Sequence, residues 1–94
     1  MCKDTSGMTT VLYQTLLACQ SEEDVKLLLE DLCTYKEVEQ MAQRVVAAQM
    51  LQEGKTYAEI IAKTDISSAT LSRVSRCIQY GAGGYEKFLP KKDV

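Results

Sequence analysis

The chain has 94 residues, 46% of them hydrophobic and 26% charged, with one proline and a formal net charge of −2; this is the make-up of a single small globular domain spanning 1–94, which buries a smaller share of its surface than a larger one. No apolar run approaches the roughly 20 residues that span a bilayer, and the N-terminus lacks a basic segment followed by an apolar one, so a cytoplasmic protein with no membrane partner is expected. The absence of histidine removes the commonest general base and the usual nitrogen ligand of zinc, so neither an enzyme nor a metal site is expected.

In chain order, Met8 to Gln20 reads as a helix with Leu12, Leu16 and Cys19 on one stripe and Tyr13 and Leu17 beside it. Ser21 followed by Asp24 resembles a capping box with Asp in place of Glu, and a second helix runs to about Leu32 with Val25, Leu28, Leu29 and Leu32 on one side and Leu27 widening it. Thr34 and Glu37 form a regular capping box that opens a long third helix. Its inward line is Val38, Met41, Ala42, Val45, Ala48 and Leu51, and Gly54 suits a left-handed stop. Thr56 and Glu59 repeat the box for a fourth helix ending near Lys63; Thr64, Asp65 and Ile66 make a turn, and Ser67 caps a fifth helix running to about Tyr80. Gly81, Gly83 and Gly84 break the chain before a short closing helix or turn at Tyr85, Phe88 and Leu89, then Pro90 and a charged tail. The class is all-α, with about six helices.

The first three helices carry more apolar surface than two later short ones can cover. Either the whole is a compact monomeric bundle, or these helices pack against the same helices of a second copy; small domains often gain their core by pairing, which favours the dimer. Cys2, Cys19, Cys33 and Cys77 are spaced too irregularly for a zinc knuckle and read as reduced thiols, the last three partly buried.

Charge is unevenly distributed. Up to Gln43 three lysines face eight acids, whereas from Arg44 onward Arg44, Lys55, Lys63, Arg73, Arg76, Lys87, Lys91 and Lys92 outnumber Glu53, Glu59, Asp65, Glu86 and Asp93. An acidic body with one mildly basic part can still bind DNA, because phosphate contact depends on local charge.

Residues 56–80 form the candidate helix-turn-helix. Ile60, Ile66, Leu71, Val74 and Ile78 supply the inward positions, which leaves Ser67, Ser68, Ala69, Ser72, Arg73 and Arg76 to meet double-stranded DNA. Small side chains let a helix enter the major groove, hydroxyls bond base edges and phosphates, and guanidinium groups reach guanine or phosphate oxygens. A solvated helix face has the same bare pattern; the capped preceding helix and the short turn distinguish the two.

The run GKTYAEIIAKTDISSATLSRVSRCIQYGAGGY resembles the signature region of the YerC/YecD group within the Trp repressor superfamily, and the resemblance extends back through LLLEDLCTYKEVEQMAQRVVAAQMLQEG, covering about Leu27 to Leu89. It implies an intertwined all-helical homodimer whose paired recognition helices meet successive major grooves of a palindromic operator and repress transcription. Carried over residue by residue, the reading positions are Ser68, Ala69 and Ser72, with Thr70 and Arg76 matched more loosely. The Trp repressor holds tryptophan as co-repressor between two arginines, matched here by Arg44 and Arg73, and Thr34 matches a threonine at the start of the central helix. Two departures argue against carrying tryptophan across. Val74 stands in place of a glycine and narrows the indole slot, and Cys77 replaces a serine near the ligand's amino group with a poorer hydrogen-bond partner. Another small effector, or none, fits the residues equally; without a ligand, Arg44 pairs with a carboxylate on its own helix, such as Glu37, and Arg73 meets a phosphate or a surface acid. Asp65 replaces the glycine common in the turn but can still adopt a left-handed conformation. Ile61 replaces a DNA-contacting lysine, as an added core residue or a partner contact. The alternative to a DNA-binding regulator is a helical protein-interaction module whose helix-turn-helix no longer reads DNA.

Overall fold

The computed structural model describes residues 5–90; Cys2 and the charged tail at Lys91, Lys92 and Asp93 lie outside the described residues. Among these are six helices and no strand: α1 Thr5–Leu17, α2 Glu22–Leu32, α3 Tyr35–Gln52, α4 Tyr57–Thr64, α5 Ser68–Tyr80 and α6 Gly84–Phe88. None is long and apolar enough to cross a membrane. The chain divides into two compact units, Met1–Lys36 and Glu37–Val94.

In the first unit, α1 ends at Leu17 rather than Gln20, for a local reason. The Asp24 carboxylate accepts the Gln20 N–H (2.9 Å) while Ser21 Oγ accepts the Asp24 N–H (3.1 Å). The box forms, but its acid reaches one residue further back than a regular box, drawing the chain out of α1 and into the start of α2. No described side chain of this unit is buried: Leu12, Leu16, Val25, Leu27 and Leu32 are exposed, and Leu28 and Leu29 half-buried.

The second unit is built around one cluster: Ala47 and Ala48 of α3, Ile60 of α4, Ile66 in the turn, Leu71 and Val74 of α5, and Leu89 after α6. Ala48 is inward as expected, whereas Ala47 corrects the expected face of α3. Ala42 and Val45 are exposed, Val38, Met41 and Leu51 half-buried, and Ala47 fully buried. Two adjacent small residues present little bulk to the helices they meet, so the covered face is turned towards Ala47 and away from the Ala42–Val45 line. Gly54, at φ 85, ends α3 with Lys55 N–H donating to the Met50 carbonyl (3.0 Å) and Gly54 N–H to that of Leu51 (3.1 Å), the paired bonds of a Schellman stop. The segment after α6 is tied back to α3 where Gln49 Nε2 donates to the Pro90 carbonyl (2.7 Å).

The expected box at Thr56 is complete: Glu59 N–H donates to Thr56 Oγ1 (3.2 Å) and Thr56 N–H to Glu59 Oε1 (2.9 Å). The Thr56 N–H and the Thr56 hydroxyl, which also donates to Glu59 Oε1 (3.0 Å), helped by Lys55, hold the Glu59 carboxyl below its ordinary pKa. The stabilisation is therefore complete above the ordinary value of 4.5 and is lost as pH falls through the lowered folded value. Thr56→Ala is expected to cost about 1 kcal/mol at neutral pH in urea unfolding. Glu59→Gln keeps an acceptor but cannot titrate, and should flatten the fall in stability expected of the natural chain below that value.

Candidate nucleic-acid interface

Helices α4 and α5 are joined by residues 65–67 alone. Thr64 turns its hydroxyl inward, donating to the Ile60 carbonyl (2.8 Å) and accepting the Ile66 N–H (3.2 Å), so the last turn of α4 and the turn residue share one side chain. Asp65 sits at φ 63, its N–H closing on the Ile61 carbonyl (2.9 Å); the left-handed conformation expected of this acid is the one it adopts. Ile66 then drops into the core at 3% exposure. With Ile60, Leu71 and Val74 in the same cluster, the two helices are fixed to each other through apolar contact, as the sequence pattern required.

Ser67 is the cap of α5. Its Oγ accepts the Thr70 N–H (3.1 Å) and donates to Thr70 Oγ1 (2.9 Å), which leaves the Thr70 hydroxyl its own hydrogen to offer. Thr70 is half-buried; Ser68, Ala69, Ser72, Arg73 and Arg76 are all exposed, while Leu71 and Val74 face the core. The helix therefore has one apolar side and one side of small, hydroxyl and guanidinium groups, and no carboxylate occurs anywhere in it. Chemically such a face can donate to phosphate and to base acceptors with no like charge of its own to oppose the approach.

Each residue expected around an effector has its own setting. Arg44 is half-buried and borders a concavity of about 330 Å³ with Gln40, Gln43, Asp65, Ile66, Ser67 and Thr70; Arg73 is not among the lining residues. Thr34 is exposed, immediately before α3 and in the first unit. Val74, at 2% exposure, is part of the core. Cys19 and Cys33 are half-buried as expected, but Cys77 is exposed, because it falls beside rather than on the Leu71–Val74–Ile78 line. Ile61 packs half-buried against the core, the first of the two roles open to it. The two glutamines at the concavity were missed by sequence reasoning, although the spacing of Gln40, Gln43 and Arg44 puts all three on one side of α3.

A family profile described as Trp repressor protein matches residues 8–93. The uncharacterized protein YerC of Bacillus subtilis strain 168 is 41% identical over 80 residues, spanning 85% of this chain and 77% of its own. Among solved structures, a protein described as a candidate Trp repressor from Staphylococcus aureus superposes with a TM-score of 0.83 at 34% identity, covering 85% of this chain and 80% of that one. A TrpR-like protein from Eubacterium eligens ATCC 27750 gives 0.84 at 37% identity, covering 86% and 84%.

Proposed function

The chain belongs to the Trp repressor family, and we propose that it is a sequence-specific DNA-binding regulator that acts in the cytoplasm as a homodimer and represses transcription by occupying a palindromic operator. The observation that carries this reading is the outward face of α5: Ser68, Ala69, Ser72, Arg73 and Arg76 exposed together on a capped helix without a carboxylate, held by a three-residue turn against α4. The pairing is supported by the apolar stripes of α1 and α2, which carry exposed Leu12, Leu16, Leu27 and Leu32 and gain a core only against another surface. A second copy of the same helices is the partner that a symmetric reader of two half-sites requires.

The test is selection of genomic fragments by the purified protein, with and without a panel of amino acids. Shared palindromes among the retained fragments support the reading, and dependence on one amino acid would assign the effector. Salt decides against the rival protein-interaction module. If a pair of copies neutralises about six phosphates, operator affinity should fall roughly 10³-fold between 50 and 200 mM salt. An affinity that hardly changes over that range would instead favour an apolar protein interface.

A further inference from the structure

Asp65 is the one acidic residue of the turn between α4 and α5, and a DNA-reading role gives it no task. It is exposed and left-handed at φ 63. It also borders two neighbouring concavities that share Gln43. In the first it stands with Arg44, Ser67 and Thr70; in the second, of about 370 Å³, with Lys63, Thr64 and Glu39. A carboxylate thus borders the same concavities as the cations Arg44 and Lys63 and the acid Glu39, three residues before the first residue of the recognition helix.

The turn does not need the charge. A left-handed residue is required there, and asparagine meets that requirement as well as aspartate, glycine better than either. The charge matters elsewhere. Affinity for DNA of arbitrary sequence comes almost wholly from phosphate attraction, whereas discrimination comes from base edges. Fixed charges within a screening length of about 8–10 Å act on a phosphate together, so an anion bordering the same concavities as Arg44 and Lys63 weakens what either can contribute. From Glu37 to Pro90 the cations are Arg44, Lys55, Lys63, Arg73, Arg76 and Lys87, and the anions Glu37, Glu39, Glu53, Glu59, Asp65 and Glu86. With cations and anions equal in number over 37–90, one carboxylate at the head of α5 offsets a full unit of the local positive charge.

We infer that Asp65 is a specificity-determining residue: its carboxylate offsets the phosphate attraction of Arg44 and Lys63 and thereby suppresses binding to arbitrary DNA, while the base contacts of α5 are left to select the operator. The inference rests on the DNA-binding reading above. It is tested by fluorescence-anisotropy titration of a mixed-sequence duplex and of the selected operator, at about 50 and 200 mM salt, with the natural chain, Asp65→Asn, Asp65→Gly and the Ser72→Ala/Arg73→Ala pair.

Asp65→Asn should bind the mixed-sequence duplex roughly 3–10-fold more tightly at low salt, with the gain shrinking at high salt. Its operator affinity should rise less, so the ratio of the two affinities falls. Asp65→Gly should behave alike. A gain confined to the glycine variant would assign the effect to turn geometry and overturn the inference, as would unchanged or weaker mixed-sequence binding by both. If the natural chain prefers the operator and loses that preference in the Ser72/Arg73 variant while Asp65→Asn matches the natural chain, this inference alone fails. If the natural chain binds no duplex, the DNA-binding reading fails with it.

Discussion

Replacing Ser72 and Arg73 together by alanine is expected to weaken operator binding by about 100-fold or more, since a good base contact is worth about 1–3 kcal/mol and a symmetric pair of copies loses each one twice. Both residues are exposed on α5, lying between Leu71 and Val74 on the chain but turned away from the cluster those two enter. Alanine is the best helix former, so neither change weakens α5 itself. Far-ultraviolet circular dichroism and sedimentation should therefore match the natural chain while anisotropy titration shows the loss. Equal operator affinity in the double variant would remove α5 from the interface, whatever the family.

Much of this candidate interface was legible because its determinants are local. The Ser–x–x–Asp and Thr–x–x–Glu spacings at Ser21 and Thr56, the hydroxyl of Ser67 and the glycine at 54 each satisfy or end a helix through bonds spanning no more than five residues. Such chemistry is written within one turn of helix. The outward face of α5 followed from the 3.6-residue period alone, once Leu71 and Val74 were inside.

What escaped the sequence depends on contacts between distant segments. Periodicity finds an apolar stripe on α3 but not which flank the other helices will cover, so Val45 was placed inside and Ala47 was not. The concavity at Arg44 joins α3 to a turn some twenty residues later, at Asp65 to Ser67, and no local pattern announces it. The match of Arg44 and Arg73 to a ligand-holding pair concerned residue types at aligned positions; that only Arg44 borders this concavity is a matter of packing. Ile61 was ambiguous for the same reason, since its period fits both the rim of a core and an exposed flank, and contact with the cluster decides for the core.

Leu71→Ala is the substitution expected to damage the fold most. Leu71 is fully buried, in the cluster that also holds Ala47 and Ala48 of α3 and Ile60 of α4. Emptying such a site costs the lost transfer energy plus the cavity left behind, about 2–5 kcal/mol in all. Here the upper half of that range is the natural expectation, because alanines and a β-branched isoleucine have little freedom to swing into the space. A domain of this size is stable by only about 5–15 kcal/mol, and a loss near 3 kcal/mol corresponds to a melting temperature lower by about 12–24 °C at equal protein concentration. Thermal melts followed at 222 nm measure this directly, and a shift of only a few degrees would mean that Leu71 is not the centre of the core. Leu71→Met, nearly conserving volume, should cost less than about 1.5 kcal/mol. The two kinds of variant then separate fold from recognition. Leu71→Ala should lose operator and mixed-sequence binding together as it unfolds, keeping their ratio at temperatures where it is folded. The Ser72/Arg73 variant should melt normally and lose the ratio.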